Sequence, residues 1–456
     1  MLFALALCVS MTWGLAAPRL DGPDERDHAI RSVATVRGHV IGEFLPSGLG
    51  YRMRVRIPME VCTGVLHDRV LCVPTPNPDE ADVDTGEYRH PPPYYAVTGL
   101  PSLVWTGVNS SYVMRLVSAV IGSALLGWAF SSAIQTRNRL SVLGVAAVTT
   151  PIVWFLISDL NPNGVEIGAA ICLWASSLTL ARYGPSRQVI RWAGIALTVF
   201  VMSRGISPLY AVIALVAAGL IAGKARSREL LGRPDVRRWL VLAAGGACIT
   251  GVWVLVAGFS HNVHRAGHPV SGALRETGLF LQESVGDWLD LRVSLPYAVA
   301  ACAAVALPIL VLGIARARRG DRNVTLCLLA IALVLPLTSN IMNLPPIASA
   351  WQGRYGLPMV AGVIITAAYI GHTDLSTCVW RCGLALLAAA HVGAFVVFVR
   401  HWVESSTAAT VLIAVNAVGV ALLTLVLDRG VSEVAAAPSS GLGKEWNPPA
   451  PSTQRP

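Results

Sequence analysis

Apolar runs about as long as a bilayer core demands, ~17–25 residues, recur along most of the chain. They lie near 1–17, 112–134, 140–158, 163–181, 189–203, 206–223, 239–258, 294–314, 323–341, 355–372, 381–399 and 406–427. The run at 189–203 is the weakest. This pattern predicts an all-α fold: a polytopic membrane helix bundle of about twelve spans, in a range of about 10–13. The first two runs are separated by a long polar stretch, 18–111, which reads as one large external loop with short helices. Residues 112–429 then form the polytopic membrane domain. Residues 430–456 are rich in Ala, Ser and Pro and end in PPAPSTQRP. They carry too little apolar surface to fold and are predicted to be a disordered cytoplasmic tail.

Composition agrees with that division. Hydrophobic residues make up 54% of the 456 residues and charged residues only 13%, roughly half of what a soluble chain carries. The net charge of +9 would raise nucleic-acid binding in a soluble protein. Here the basic residues cluster between apolar runs, without the interleaved aromatics of a single-strand binder, and nucleic acid is excluded as a partner.

The clusters set an orientation. Arg137 and Arg139 fall in one loop, and Arg182, Arg187 and Arg191 two loops later. Lys224, Arg226, Arg228, Arg233, Arg237 and Arg238 follow, then Arg316, Arg318, Arg319 and Arg322. If every run spans, all of these share one side. The positive-inside rule puts that side, and both termini, in the cytoplasm, with 18–111 outside. The first run lacks a basic start, and GLAAP resembles a signal-peptide cleavage site after Ala17. It is read as a retained helix, with cleavage as the alternative.

Nine cysteines are present. Seven lie in or beside apolar runs, where a thiol acts as a small hydrophobe. Cys62 and Cys72 fall in the external loop, where an oxidising exterior favours a disulfide over two free thiols. No CxxC pair exists to form a cysteine zinc site.

A few polar residues invite a chemical reading. Asp21-Gly22-Pro23-Asp24-Glu25-Arg26-Asp27-His28 packs four carboxylates and a histidine at the membrane surface. Such a set suits a general base or divalent-metal ligands. It equally suits an ordinary helix start, with Pro23 followed by acids. His28 would lie one turn from Asp24 on the same helix face. His90-Pro91-Pro92-Pro93-Tyr94-Tyr95 closes the external loop, and His90 could project back toward the acids. In Asn161-Pro162-Asn163-Gly164-Val165-Glu166, Asn161 can cap a helix. Asn163 and Glu166 then sit in its first turns, where a carboxylate inside the bilayer calls for a polar cavity. Arg204 and Arg354 lie at outer helix ends against the positive-inside trend. Each is a ready partner for a phosphate oxygen, with snorkelling as the plain alternative. Tyr355 follows Arg354 directly. His261, His264 and His268 are weak evidence for a metal, and an interfacial helix near 272–290 is expected instead.

Taken together, PDERDH, HPPPYY, NPNGVE, SRGISPLY and WQGRYGLP resemble, in order, the motifs of the DUF2142 family of predicted bacterial membrane proteins, whose signature reads PPDExxH. The likeness covers nearly the whole chain. Two departures, Asp21-Gly22 before Pro23 and Arg26, leave Asp24, Glu25 and His28 in register. That family in turn resembles the GT-C glycosyltransferases, multi-spanning enzymes that move sugars from polyprenyl-phosphate donors. The resemblance implies a GT-C-like fold in the bacterial plasma membrane and transfer of a sugar to an envelope glycan or protein at the outer face. Asp24 would be the base, with Glu25 and His28 orienting it. Arg354, Arg204, His90, Asn163, Glu166 and Tyr355 would hold the donor and its phosphate. A divalent metal is compatible with this scheme and not required by it. A transporter or lipid flippase, which often shows internal repeats, and a non-catalytic envelope scaffold are the alternatives.

Overall fold

The computed structural model describes residues 1–47, 50–57, 62–66, 69–72, 81–105, 109–259, 270–287, 291–342, 351–371 and 373–436. Helix α1 (Leu2–Ala16) leads into α2 (Glu25–Val36). Five strands follow: β1 (Glu43–Ser47), β2 (Gly50–Ile57), β3 (Cys62–Leu66), β4 (Arg69–Cys72) and β5 (Ala81–Thr85). Helix α3 (Pro92–Gly99) closes this part. The remainder is helical: α4 (Asn109–Gln135), α5 (Arg139–Val148), α6 (Pro151–Ser158), α7 (Pro162–Tyr183), α8 (Arg187–Val201), α9 (Ser207–Gly232), α10 (Pro234–Trp253), α11 (Val270–Glu283), α12 (Pro296–Arg316), α13 (Arg319–Met342), α14 (Gly353–Ile370), α15 (Thr377–Trp402) and α16 (Ser406–Ala436).

Among the described residues, nine helices are long and apolar enough to cross a membrane. The twelve apolar runs are all helical, but three differ from a simple span. The run 140–158 breaks into α5 and α6, bent by 62°; counted as one span, the pair makes ten. Pro151 forces that break. The freed polar groups find partners on the chain after α11, where Thr150 Oγ1 donates to the Ser284 carbonyl (2.8 Å) and Ile152 N to that of Val285 (3.3 Å). Helices α1 and α8 have 15 residues each, or roughly 22 Å, short of a bilayer core of roughly 30 Å.

Helices α7 and α14 form the centre. Every residue of α7 from Pro162 to Ala181 is buried, as is all of α14 except Tyr355 and Val360. A helix apolar all round belongs in such a place. Small residues allow the close approach. Gly168 of α7 lies against the backbone of Gly122 in α4, and Gly362 of α14 leaves room for the Trp174 indole. That indole donates to the Pro358 carbonyl at 3.1 Å. Hydroxyl pairs join other helices, Ser132 to Ser176 at 2.9 Å and Ser10 to Ser123 at 3.0 Å. Helix α1 packs against α4 and α16, whereas α10, α12 and α16 turn most of their surface outward.

Side-chain pairs sort the turns into two ends. Arg182 meets Asp321 (3.1 Å) and Arg139 meets the Leu375 carbonyl (2.9 Å) at the end that carries the basic clusters. Trp253 donates to the Tyr88 carbonyl (3.0 Å) at the opposite end, where the segment 18–105 lies.

That segment is not made of short helices alone. Strands β1, β2 and β5 form an antiparallel sheet in the order β1-β2-β5, with Met53 opposite Thr85 and Val55 opposite Val83. Met53, Val55, Val83 and Thr85 are buried on one face. The alternation in YRMRVRI accounts for this, since successive strand residues point to opposite faces. Arg52, on the other face, ties the sheet to α2 through both oxygens of Asp27 (2.9 and 3.0 Å) and also binds Asp84. The β3–β4 backbone register sets Cys62 opposite Cys72; their side chains lie outside the described residues, as do His261, His264 and His268. Helix α16 continues through 430–436, which the sequence pattern assigned to the tail. The rest of the tail is outside the described residues.

Candidate active site

Asp24 begins the site. It holds a left-handed backbone (φ 57, ψ 11) at the head of α2, a conformation that Asp adopts more readily than most residues. Its side chain therefore does not cap α2 and instead reaches Arg354 across the end of the bundle that bears the segment 18–105. Arg354 Nη2 donates to Asp24 Oδ2 at 2.8 Å. The guanidinium is 3% exposed and the carboxylate 51%. Partial burial opposes ionisation of Asp24, but the Arg354 charge outweighs it and holds the carboxyl below its ordinary range.

Arg354 opens α14, whose start is fixed by Gly353 N donating to Glu283 Oε2 of α11 (2.7 Å). Its neighbour Tyr355 offers its ring to two cations, with the Arg354 guanidinium 5.2 Å and that of Arg204 4.3 Å from the ring centre. Arg204 lies between α8 and α9. It donates to Asn163 Oδ1 (2.7 Å) and to Glu166 Oε2 (3.3 Å), while Ser207 Oγ donates to Glu166 Oε1 (2.6 Å). Asn163 and Glu166 thus aim Arg204, and both are buried. Arg204 Nε is buried without a hydrogen-bond partner among the described residues. Asn161 caps α7 by accepting from Asn163 N (3.0 Å) and donates to the Pro23 carbonyl (2.8 Å), which fastens the NPNG turn to the approach to Asp24.

One turn beyond Asp24, His28 is buried, and its Nδ1 sits 2.9 Å from the Tyr95 hydroxyl. Burial, opposed by Glu87, pushes this imidazole down to about 4. His90 Nε2 lies 2.9 Å from Glu87 Oε2, and the two histidine rings are 6.0 Å apart. Burial and the Arg204 charge push His90 well below its ordinary range. Both histidines are therefore neutral near pH 7 and can accept a proton-sharing bond or ligate a metal. Asp24, His28 and Glu87 each offer one ligand atom, all within 4.8 Å of one another, a donor set that suits a divalent ion.

Glu25 does not join this group. Its carboxylate is fully buried and gripped at both oxygens by Arg115 of α4 (2.5 and 2.6 Å). Arg115 also donates to the carbonyls of Gly14, Ala17 and Pro18 (2.8, 3.0 and 2.7 Å), completing the C-terminal end of α1. Burial opposes ionisation of Glu25, but Arg115 outweighs it and keeps the carboxyl below its ordinary range. Asp159 lies beside it, 2% exposed. Burial and the Glu25 charge raise Asp159 well above the carboxylate range. A side chain at position 22 would strike the Asp159 carboxyl group, which would have to shift to admit it.

Of the residues singled out in the sequence, Asp24, His28, His90, Arg204, Arg354, Asn163, Glu166 and Tyr355 gather at one end of the bundle, and Glu25 faces elsewhere. Glu87, Arg115 and Asp159 were not anticipated. Arg115 carried a usable signal, as an arginine within an apolar helix calls for a partner. Glu87 and Asp159 carried none beyond nearness to a motif.

Residues 7–280 match the family described as "Predicted membrane protein (DUF2142)". No curated protein matches the chain. Solved structures similar to it include two of one protein. ArnT from Cupriavidus metallidurans bound to undecaprenyl phosphate has 15% identity and a TM-score of 0.44, with 95% of this chain and 76% of that one covered. The same protein in the apo state has 15% identity and a TM-score of 0.47, with 93% and 74% covered.

Proposed function

The chain belongs to the DUF2142 family of predicted membrane proteins, and from that premise we propose that it is a membrane glycosyltransferase. It moves a sugar from a polyprenyl-phosphate donor to a hydroxyl of an envelope glycan or protein, at the outer face of the bacterial plasma membrane. Both termini are cytoplasmic in this reading, because the basic clusters lie at the end away from Asp24. The observation that carries the proposal is the convergence of Arg354 and Arg204 on Tyr355 beside Asp24. Two buried guanidinium groups, of which Arg204 has an Nε without a hydrogen-bond partner among the described residues, form a charge-assisted grip for a phosphate oxygen at headgroup depth.

The donor phosphate competes with Asp24 for Arg354. When Arg354 turns to the phosphate, Asp24 loses the charge that lowers its pKa, and its Oδ2 becomes free. It then takes the proton of the acceptor hydroxyl. The hydroxyl oxygen bonds to the anomeric carbon, the bond from that carbon to the phosphate oxygen breaks, and the lipid phosphate leaves with its charge held by Arg354 and Arg204. Neutral His28 and His90 hold the acceptor side in place rather than carrying charge. Asn163 and Glu166 fix the direction of Arg204.

The test is a sugar-transfer assay on the purified protein with Asp24→Asn. Loss of about 100-fold or more in rate is expected. Undiminished transfer by that variant would remove Asp24 as the base. Uptake of the lipid into counterflow vesicles without any glycosyl product would favour a flippase.

A further inference from the structure

The opposite end of the bundle holds a cavity of about 300 Å³ between α7, α8, α9 and α10, lined among others by Leu173, Leu197, Leu215, Ala218 and Trp239. Two of its lining residues bear hydroxyls, Ser177 and Ser227. Both already donate to backbone carbonyls, those of Leu173 (2.5 Å) and Gly219 (3.2 Å). Ordered water needs two to four polar partners, which this wall does not supply. Hydrocarbon is the filling that matches the lining.

The rim has a different character. Helix α9 breaks at Gly223, whose φ of 74 is left-handed, and the segment after it carries the turn into α10. Between 224 and 238 stand six basic residues, Lys224, Arg226, Arg228, Arg233, Arg237 and Arg238, against Glu229 and Asp235. The two acids are matched within the segment, Glu229 by Arg226 (2.6 Å) and Asp235 by Arg233 (2.9 Å). Lys224, Arg228 and Arg238 are exposed and form no ion pair with any described residue. Lys224 and Arg228 share a helix face with Ser227 and Leu231, both of which line the cavity. Unpaired cations therefore border the mouth of an apolar chamber.

We propose that this chamber binds an anionic phospholipid of the inner leaflet. One acyl chain occupies the space between α8 and α9, and the phosphate rests on Lys224, Arg228 and the basic start of α10. A zwitterionic lipid fits the chamber equally well but leaves the rim charges unmatched. This site is separate from the outer acid–arginine cluster, and its fate is independent of the glycosyltransferase reading.

The test is native mass spectrometry of the full-length protein released from nanodiscs of phosphatidylglycerol mixed equally with phosphatidylcholine. The wild type is expected to retain about 10-fold more of the anionic lipid, since only that headgroup brings a net negative charge to the rim. Ala218→Phe, which fills the chamber, loses the retained lipid. Lys224→Gln with Arg228→Gln keeps a bound lipid and loses the preference. Equal retention of both lipids by the wild type overturns the proposal. So does undiminished retention of phosphatidylglycerol by Ala218→Phe, or co-purification of an isoprenoid phosphate in its place. If Ala218→Phe fails to fold, the glutamine pair on the surface decides the question alone.

Discussion

The two ends of the bundle differ in how far their charges are paired. At the end that bears Asp24, the outer end in the proposed orientation, Asp21, Asp24, Glu25, Asp27 and Glu166 each face an arginine, respectively Arg292, Arg354, Arg115, Arg52 and Arg204. Several of these partners are withdrawn from solvent. At the inner end Lys224, Arg228 and Arg238 stand exposed without such partners among the described residues. Buried pairs at the outer end define shape, because a lone charge there is costly. Unpaired surface charges at the inner end contribute little to folding and are the groups on which the proposed anionic lipid would rest.

The sharpest way to break this contrast is Arg115→Leu. It strands a fully buried Glu25 and three carbonyls at the end of α1, and a loss of about 3–5 kcal/mol is expected. Denaturant unfolding in detergent micelles measures it, and a neutral outcome would mean that the outer pairs do not hold the fold. Next is acidity. The folded-state pKa of His28 is about 4, against an ordinary 6.5. Between those values the unfolded chain binds a proton that the folded chain refuses. Stability is therefore unaffected by His28 above pH 6.5, falls as pH drops toward 4, and levels off below. The loss reaches up to about 3 kcal/mol, and His28→Gln flattens the slope between pH 6.5 and 4. A smaller effect is expected of Arg354→Lys, which keeps the charge and removes the planar fork. Transfer efficiency with the lipid donor should drop about 10-fold, read as kcat/KM. Least of all, Lys224→Gln with Arg228→Gln should alter unfolding free energy by no more than about 0.5 kcal/mol. A large change there would erase the difference between the ends.

The spans were readable because lipid imposes a length and a composition on every one of them. The break between α5 and α6 was marked by Pro151 inside an apolar run, and the shortness of α8 by Arg187 and Arg191 near its start. The three-stranded sheet was written in YRMRVRI, a strict two-residue alternation overshadowed by the helical signal around it. The site was less legible. Asp24 and Glu25 are adjacent in sequence, and adjacency suggests joint action. Asp24, however, stands in a left-handed turn ahead of α2 whereas Glu25 is the first residue of the helix, so their side chains diverge and Glu25 turns to Arg115, 90 positions away. Pairings of that kind belong to the packing of α1, α2 and α4 and leave no local trace. Arg354 and Asp24, 330 positions apart, were each conspicuous alone, as polar groups at the rim of an apolar helix.

The turn at Asp24 limits what can stand there. At φ 57 and ψ 11 asparagine and glycine enter with little strain, whereas valine, isoleucine and threonine crowd their own backbone. A library of replacements at this position would be sorted twice, first by whether the turn closes and only then by acid chemistry. Of the two, asparagine also keeps the size of the side chain while discarding the proton acceptor, so it is the substitution that tells geometry from reactivity.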